Sequence, residues 1–223
     1  LLGVPISASG GFIDSYAGDE IMALFAIPAQ QAVEAGIKMC DALYKFNHDS
    51  VSKSRPMLNM GIGMNTGPLV LGTMGGIERM QCSVLGDTVN LASRIEQLTK
   101  VYGAHFLIGE RTYLALKNPA AFSIRMVDYV AVKGKESAVK LYEVLDAEKP
   151  DRRAAKEATK AQLNAALDAY FLRNFSQAYQ ILSEAMKQDP VDPVLSIFAS
   201  RSKQYMEKAP PEDWRGYEKL KVK

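Results

Sequence analysis

Apolar and polar positions change period several times along this chain of 223 residues. Residues 11–26, GFIDSYAGDEIMALFA, hold two apolar runs on either side of a Gly-Asp-Glu segment. This pattern predicts a β-hairpin with a tight turn, whose second strand is buried on both faces. From Pro28 onward apolar residues recur every three or four positions, and this period predicts an amphipathic helix that ends near His48.

The middle of the chain predicts an alternation of strands and helices. Residues 57–86 hold three strand patterns, the first two separated by Asn-Thr-Gly-Pro. The next segment predicts a second helix, with Asp87 or Thr88 as its N-cap and Gly103 at its end. Short strand and helix patterns continue from there to residue 146. We therefore predict an α+β fold, in which helices pack against a mixed sheet.

Beyond residue 147 the strand patterns stop. Residues 148–160 are charged and rich in Pro and Ala, which predicts a linker or an exposed helix. Residues 161–193 carry small and aromatic residues at the spacing of a helical hairpin that resembles one tetratricopeptide repeat (TPR). The positions that form this pattern are Ala166, Tyr170, Ala178, Ile181 and Ala185, followed by Asp189 and Pro190. One repeat cannot bury its apolar face alone, so we expect it to pack on the preceding domain, on a partner protein or on its own copy.

Composition narrows the classes of function. Lys and Arg number 27 and Asp and Glu number 25, so a net charge of +2 gives no argument for binding nucleic acid or an anionic membrane. The two cysteines, Cys40 and Cys82, lack any metal-binding spacing, which suits a reducing compartment. No apolar run reaches the ~18 residues of a membrane span. We expect a cytoplasmic protein, or the cytoplasmic part of a membrane-anchored one, without a nucleic acid partner.

Two groups of polar residues are candidates for chemistry. Asp19 lies at the tip of the predicted hairpin, where it is either a turn residue or a metal ligand on a rigid support. Asn90 and Arg94 are four residues apart, so in a helix they share one face. An amide beside a guanidinium suits a ligand that carries phosphate groups, and the alternative is a solvated polar face. From these residues alone, Asp19 is either a turn residue or a metal ligand, and Asn90 and Arg94 either bind phosphate groups or form a solvated polar face.

Four blocks of sequence resemble the catalytic domain of class III adenylate and guanylate cyclases, in the same order and at matching separations. They are GGFIDSYAGDEIMALF, GIGMNTGPLVLGTMGG, CSVLGDTVNLASRIEQLTKVYG and VAVKGKESAVKLYEVL. The resemblance implies that residues 1–147 form the cyclase domain, with a ferredoxin-like βαββαβ core that works as a homodimer. Residues 148–223 would then be a linker and a TPR-like helical extension. A protein partner for this extension stays open, as does a sensor or membrane domain upstream.

The resemblance also implies a reaction and a set of site residues. Members of the family convert a nucleoside triphosphate, ATP or GTP, into its 3′,5′-cyclic monophosphate and pyrophosphate with two divalent metal ions, Mg²⁺ or Mn²⁺. Asp19 matches a metal-binding aspartate. Asn90 and Arg94 match residues that orient the ribose and stabilise the transition state, contributed by the opposite subunit. Lys133, in VKGK, matches a lysine that contacts the triphosphate.

The sequence departs from the family pattern at two places. Adenylate cyclases of this type usually have Lys at the position of Ser15 and Asp or Thr at that of Ser83, and guanylate cyclases usually have Glu and Cys. A serine hydroxyl can replace that of Thr, so Ser83 favours ATP, whereas Ser15 has neither the charge nor the reach of Lys. A second metal-binding aspartate of the family belongs to a strand upstream of Leu1. We therefore expect this 223-residue chain by itself to make little cyclic nucleotide.

Two other functions stay open from the sequence. A degenerate cyclase domain, which binds nucleotide or only dimerises, is favoured by the absence of Lys at Ser15 and opposed by Asp19, Asn90 and Arg94. A diguanylate cyclase is suggested by YAGDEIMALF, which resembles the GGDEF signature of that family, although GDTVNLASR and VKGK have no counterpart there. We expect an active nucleotidyl cyclase ahead of both.

Overall fold

A computed structural model describes residues 1–52, 55–76, 79–132 and 138–220 of the chain. Within these ranges the helices are α1 (Gly3–Ala8), α2 (Ala29–Ser52), α3 (Asp87–Tyr102), α4 (Glu110–Leu114), α5 (Pro150–Phe171), α6 (Phe175–Gln188) and α7 (Pro193–Glu207). The strands are β1 (Gly11–Ala17), β2 (Glu20–Phe25), β3 (Ile62–Met64), β4 (Val70–Gly76), β5 (Arg79–Leu85), β6 (Phe106–Gly109), β7 (Ile124–Val132), β8 (Ala138–Val144) and β9 (Glu218–Leu220).

A five-stranded mixed sheet forms the centre of the molecule, in the order β3-β6-β8-β7-β9. β3 is parallel to β6 and β9 is parallel to β7, whereas β8 is antiparallel to both of its neighbours. Two antiparallel hairpins, β1–β2 and β4–β5, lie outside this sheet. The predicted α+β class, with helices packed on a mixed sheet, is confirmed.

The two faces of the sheet are covered by different helices. Along β6, Phe106 and Ile108 belong to a core that includes Val33 and Cys40 of α2. Leu107, which lies between them, belongs to a second core that is shared with α3 and with helices α5, α6 and α7. This alternation follows from the two-residue period of a strand. Helix α2 therefore covers one face of the sheet, and α3 and the C-terminal helices cover the other.

Local structure in the N-terminal half differs from the prediction at three points. Strand β2 is half-buried rather than buried on both faces, which follows from the position of its hairpin outside the main sheet. Helix α2 continues to Ser52, past the predicted end near His48. The N-cap of α3 is Gly86, without a side-chain hydrogen bond, instead of Asp87 or Thr88.

The C-terminal extension is helical as predicted as far as Glu207, but its structure differs from the prediction at two points. Of the two alternatives for residues 148–160, a linker or an exposed helix, the helix is present from Pro150, although its residues Lys156 and Thr159 are buried. The extension is also not helical throughout, because the short strand β9 joins the main sheet beside β7. Both differences arise from contacts with the sheet.

The helical hairpin of the extension packs on the preceding domain. Four positions of the predicted pattern are at most 1% exposed: Ala166, Tyr170, Ala178 and Ala185. They share one core with Leu91 and Ile95 of α3, and Ile181 packs against that core. The resemblance to a TPR and the domain boundary at residue 147 stay predictions. Among the described ranges, none of the helices has the length and hydropathy that a bilayer span requires.

Candidate active site

Asp19 occupies the tip of the β1–β2 hairpin, but the turn itself depends on its neighbour. Ala17 and Glu20 are paired across the hairpin, which leaves Gly18 and Asp19 as a two-residue turn. Gly18 has a positive φ of 64°, as such a turn requires, and Asp19 is not among the residues with positive φ. The left-handed conformation is thus provided by Gly18. The exposed carboxylate of Asp19 is available for a ligand.

Asn90 and Arg94 lie on α3, whose faces have different environments. Leu91, Ile95 and Leu98 are buried in the core beneath the helix. Asn90 is exposed, and Arg94 is half-buried one turn further along the same face. The structure therefore brings the predicted amide and guanidinium together on the outer side of the helix, away from the core.

The start of α3 is held by the loop that precedes β4. The Thr88 hydroxyl donates to the Pro68 carbonyl oxygen at 2.6 Å, and the Asn65 side-chain amide donates to the Thr88 carbonyl oxygen at 3.3 Å. Further along the helix, Gly63 of β3 approaches so closely that a Cβ at this position would collide with the Glu96 backbone. These contacts fix α3 over β3, and they explain the Asn-Thr-Gly-Pro segment and the glycine before it.

The charges at the hairpin tip influence a residue of α3 that lies on a different side of the helix from the amide–guanidinium pair. Burial raises the pKa of Glu96, and the negative charges of Glu20 and Asp19 raise it further, whereas a nearby lysine lowers it. At 3.6 residues per turn, Arg94 lies about 160° around the helix axis from Glu96, and Asn90 lies about 120° from it. The charges of Asp19 and Glu20 thus act on Glu96, which lies on a different side of α3 from Asn90 and Arg94.

Three further site residues are predicted for the base and the triphosphate. Ser15 is half-buried on β1, directly after a bulge at Asp14. Ser83 pairs with Gly72 in the β4–β5 hairpin, and its side chain lies outside the described part of the structure. Lys133 lies outside the described residues altogether. The two serines thus belong to different hairpins.

The described residues supply few metal ligands within one chain. They contain no group of three or more His, Cys, Asp or Glu side chains placed to hold a metal ion. Mg²⁺ is commonly held by one or two carboxylates together with the phosphates of a nucleotide. Asp19 fits this kind of site, because its carboxylate is exposed and, with Glu20, forms a negative field that reaches Glu96. The donor set suits a cation that is bound jointly with a nucleotide.

Sequence reasoning missed a set of charged residues behind the site. Arg125 and Asp128 of β7 and Glu143 of β8 are at most 1% exposed. Each lies within an otherwise apolar run of the sequence, where a buried ionised side chain requires a partner. That requirement is the signal that could have identified them. Their partners in the C-terminal extension are Lys156, Asp192 and Arg201.

Residues 15–145 match the family described as the adenylate and guanylate cyclase catalytic domain. This is more than half of the chain, and it includes the hairpin that carries Asp19, the helix that carries Asn90 and Arg94, and the strands β7 and β8. The chain belongs to this family. The cyclase resemblance of the sequence is confirmed, and the diguanylate cyclase alternative loses its support.

Two curated relatives of this cyclase domain are adenylate cyclases. The chain is 45% identical over 149 residues to an adenylate cyclase of Anabaena cylindrica, and this match covers 64% of the chain and 30% of that protein. It is 40% identical over 194 residues to the terminal-differentiation specific adenylate cyclase of Dictyostelium discoideum, covering 82% of the chain and 9% of that protein. The chain thus spans less than a third of the length of either relative.

Solved structures of two cyclases have a similar fold. The crystal structure of the guanylyl cyclase Cya2 has a TM-score of 0.56 and 32% identity, covering 67% of this chain and 77% of that one. A bacterial light-regulated adenylyl cyclase has a TM-score of 0.59 and 26% identity, covering 67% of this chain and 43% of that one. Because one neighbour is a guanylyl cyclase and the other an adenylyl cyclase, likeness of fold does not separate ATP from GTP as the substrate.

Proposed function

We propose that this chain is the catalytic part of a nucleotidyl cyclase that converts a nucleoside triphosphate, with ATP favoured over GTP, into its 3′,5′-cyclic monophosphate and pyrophosphate. In this reaction the ribose 3′-oxygen attacks the α-phosphorus and loses its proton, and the bond from that phosphorus to the pyrophosphate oxygen breaks. The preference for ATP is supported by the two relatives named as adenylate cyclases, at 45% and 40% identity.

The observation that carries this proposal is the match of residues 15–145 to the cyclase catalytic domain, within which the polar candidates belong to separate elements, Asp19 to the β1–β2 turn and Asn90 and Arg94 to α3. The charges at the hairpin tip act on Glu96, which lies about 120° around the axis of α3 from Asn90 and about 160° from Arg94. A site that needs all three would therefore draw them from two copies of the chain. A two-fold pairing would make two equivalent sites, each with Asp19 from one copy and Asn90 and Arg94 from the other.

Each residue has its own task in the proposed site. Asp19 would hold a divalent cation through its carboxylate, and bound divalent cations supply charge neutralisation at the phosphates and acidify the 3′-hydroxyl. Arg94 would stabilise the negative charge on the phosphoryl oxygens, since a guanidinium matches their geometry. Asn90 would orient the ribose so that its 3′-oxygen is in line with the α-phosphorus. The remaining contacts would come from Ser15 and Ser83 to the base and from Lys133 to the triphosphate.

Mixing two inactive variants tests the shared site. Asp19→Ala and Asn90→Ala each remove one half of the site, so each homodimer should have little activity. In an equal mixture that has exchanged subunits, half of the dimers have one intact site, so we expect about a quarter of the wild-type activity. Cyclic product is measured from ATP and from GTP with Mg²⁺ or Mn²⁺. The matched control mixes Asp19→Ala with Asp19→Asn, which cannot complement each other.

Three results would contradict parts of the proposal. No recovery in a mixture that is shown to contain heterodimers would exclude a site shared by two copies. A full-length protein that binds nucleotide and dimerises without forming cyclic product would support the degenerate-domain alternative, which the serine at position 15 favours. Turnover of GTP in preference to ATP would support the proposed cyclase reaction but contradict the proposed preference for ATP.

A further inference from the structure

The C-terminal end of α3 is held by the extension at a single residue. Gly103, which ends the helix, has φ 57° and ψ 39°, and its carbonyl oxygen accepts a hydrogen bond of 3.0 Å from Lys156 Nζ of α5. On its other side, a Cβ at Gly103 would lie 2.9 Å from the ring of Pro193, the first residue of α7. Two helices of the extension therefore contact the point at which the candidate catalytic helix ends.

A buried series of polar groups makes a second connection. Tyr102, the last residue of α3, donates a hydrogen bond of 2.6 Å from its hydroxyl to Asp128 Oδ2. Arg201 of α7 donates to the same carboxylate, with Nη1 at 3.0 Å from Oδ1 and 2.8 Å from Oδ2. Tyr102 is fully buried, so its hydroxyl depends on Asp128, which is 1% exposed and also accepts a hydrogen bond of 2.7 Å from the Tyr129 backbone N–H. Arg201 thus reaches α3 through Asp128 on β7.

The apolar face of α3 shares its core with the extension. Leu91, Ile95 and Leu98 lie in one cluster with residues of α5 and α7, among them Leu163, Leu167, Val194, Leu195 and Phe198. Tyr102 therefore ends a helix that is anchored on its inner side and carries Arg94 on its outer side. Arg94 is about 12 Å from Tyr102 along the axis at 1.5 Å per residue. Because a helix is stiff, a shift at one end is transmitted to the other.

One relative shares more than the cyclase domain. The match to the Dictyostelium discoideum protein covers 82% of the 223 residues, so it cannot fit within residues 1–147 and must include part of the extension. The family match, by contrast, ends at residue 145. Sequence similarity that continues past the end of the family match is expected if the extension contributes to the function of the cyclase domain.

We propose that the extension is a structural part of the catalytic unit and that Arg201 is a positioning residue, which acts through Asp128 and Tyr102 to set the orientation of α3 and so of Asn90 and Arg94. The catalytic consequence rests on the proposed function, whereas the structural link does not. A displacement of 1 Å in a positioned group can lower a rate about 100-fold. Loss of Arg201 should therefore lower kcat. Because the other contacts would still bind the nucleotide, KM should be nearly unchanged.

A matched pair of variants separates positioning from stability. Arg201→Met removes the cation of the pair with Asp128, whose side chains are 16% and 1% exposed. Arg152→Met removes the cation of a similar pair with Asp189, at 27% and 2%, which joins α5 to the connection between α6 and α7. We expect kcat to fall roughly 10- to 100-fold in Arg201→Met, with KM within about twofold, and to stay within about threefold in Arg152→Met. Arg201→Lys, which restores a cation, should recover part of kcat.

Hydrogen–deuterium exchange tests the structural link without any measurement of activity. Arg201→Met should raise the exchange of the α3 peptide over residues 95–102, whereas Arg152→Met should not. Tyr102→Phe is the second variant, because it removes one hydroxyl and keeps the ring in the core. It should fold even if Arg201→Met does not, and it should show the same two effects in smaller measure.

Every outcome of this experiment decides the proposal. Equal falls in kcat for the two arginine variants, in proportion to their fall in Tm, would overturn it and leave the extension a stabilising role only. Unchanged exchange of α3 in both Arg201→Met and Tyr102→Phe would overturn the link itself. The kinetic measurements use the full-length protein, since little activity is expected of this chain by itself. If the full-length protein made no cyclic nucleotide, the proposed function would fail, and the exchange measurements would still decide whether the extension orients α3.

Discussion

The two regions on either side of α3 differ in the burial and pairing of their charged and polar side chains. On the inner side, Arg125 contacts Glu143 and Asp192, and the side chains of these residues have no exposed surface. On the candidate site, Asp19 and Asn90 are exposed. The inner region is complete within one chain, since each buried charge there has its partner. The outer region presents polar groups that contribute little to the fold, which is expected of residues whose task is to meet a ligand or a second copy.

The inner network shows that the extension is joined to the sheet by contacts that depend on orientation. Arg125 donates through Nε to Glu143 at 2.7 Å and through Nη1 and Nη2 to the two oxygens of Asp192. A lysine could not reproduce this planar fork. Although burial alone lowers the pKa of Arg125, the two carboxylates raise it above its ordinary value, so the guanidinium stays charged. Attraction and desolvation largely offset each other in such a pair, and its clearest contribution is to geometry.

The largest expected effect is a loss of stability on the inner side. Arg125→Met leaves Asp192 buried without its cation and leaves Glu143 with Lys156 alone, so we expect the free energy of unfolding to fall by about 3–5 kcal/mol. For a chain of this length that corresponds to a fall in Tm on the order of 10 °C. The control is Arg153→Met, which removes a 40% exposed side chain paired with Glu157 and Asp146 and should cost at most about 1 kcal/mol. Urea unfolding measures the free energy of unfolding of both variants. Equal losses of stability would contradict the expected difference between the buried and the exposed ion pairs.

The second effect is a loss of activity on the outer side without a loss of stability. Asn90→Ala should lower kcat/KM roughly 100- to 1000-fold, the cost of removing one group that positions or stabilises a transition state. Because Asn90 is exposed, the free energy of unfolding should change by no more than about 0.5 kcal/mol. Gln97→Ala is the control, since it truncates an exposed side chain two turns further along the same face. A comparable loss of activity in Gln97→Ala would argue against a specific role for Asn90.

Patterns of sequence predicted the elements whose structure is decided locally. The hairpin around Gly18, the helix that ends at Gly103 and the alternation of strands and helices follow from period and turn residues, and all are present. The charged residues 148–160 predict either a linker or an exposed helix, and the pattern alone does not choose between them. Their helix is instead fixed by long-range partners, as when Lys156 bonds to Glu143. The strand β9 is equally non-local, since three residues carry no pattern and only β7 defines their pairing.

The candidate site divides in the same way. The residue types at Asp19, Asn90 and Arg94 were predicted by resemblance, because each lies in a distinct motif. Motifs could not predict how α3 is held, since the close approach of Gly63 to the Glu96 backbone joins residues that are far apart in the chain. The resemblance also implied that Asp19 and the Asn90–Arg94 pair come from two chains, and this stays a prediction.

A third prediction concerns the base that the site accepts. Ser15 is half-buried directly after the bulge at Asp14, a place from which a longer side chain could reach beyond the hairpin. Ser15→Lys adds a donor for the edge of adenine, worth about 1–3 kcal/mol when well placed, so kcat/KM for ATP should rise roughly 5- to 150-fold. Ser15→Met has similar length without the charge and is the control. Unchanged turnover of ATP alongside good turnover of GTP would overturn the adenylate assignment.

The smallest effect concerns the response of the inner network to acid. Burial raises the pKa of Glu148, but hydrogen bonds and charges from His105 and Lys156 outweigh it, so the pKa is well below its ordinary value. A carboxylate whose pKa is lower in the folded state stabilises the fold above its unfolded pKa and loses that contribution as pH falls through the folded one. Burial raises the pKa of Glu143 and of Asp128, whose contributions have the opposite sign, so a difference between variants is needed to isolate Glu148.

We expect Glu148→Gln to be less stable than the wild-type protein at pH 7, and the gap between them to narrow as pH falls below about 4.3, the ordinary pKa of a glutamate. The reason is that in this range Glu148 takes up a proton in the unfolded state, while its contacts with Lys156 and His105 keep it ionised in the folded state, so the wild-type protein loses stability that the glutamine variant never had. Urea unfolding at several pH values from 7 to 3 measures the gap. Glu157→Gln, which breaks an exposed pair with Arg153, should show a much smaller gap throughout. A gap for Glu148→Gln that stayed constant with pH would mean that Glu148 acts by packing rather than by charge.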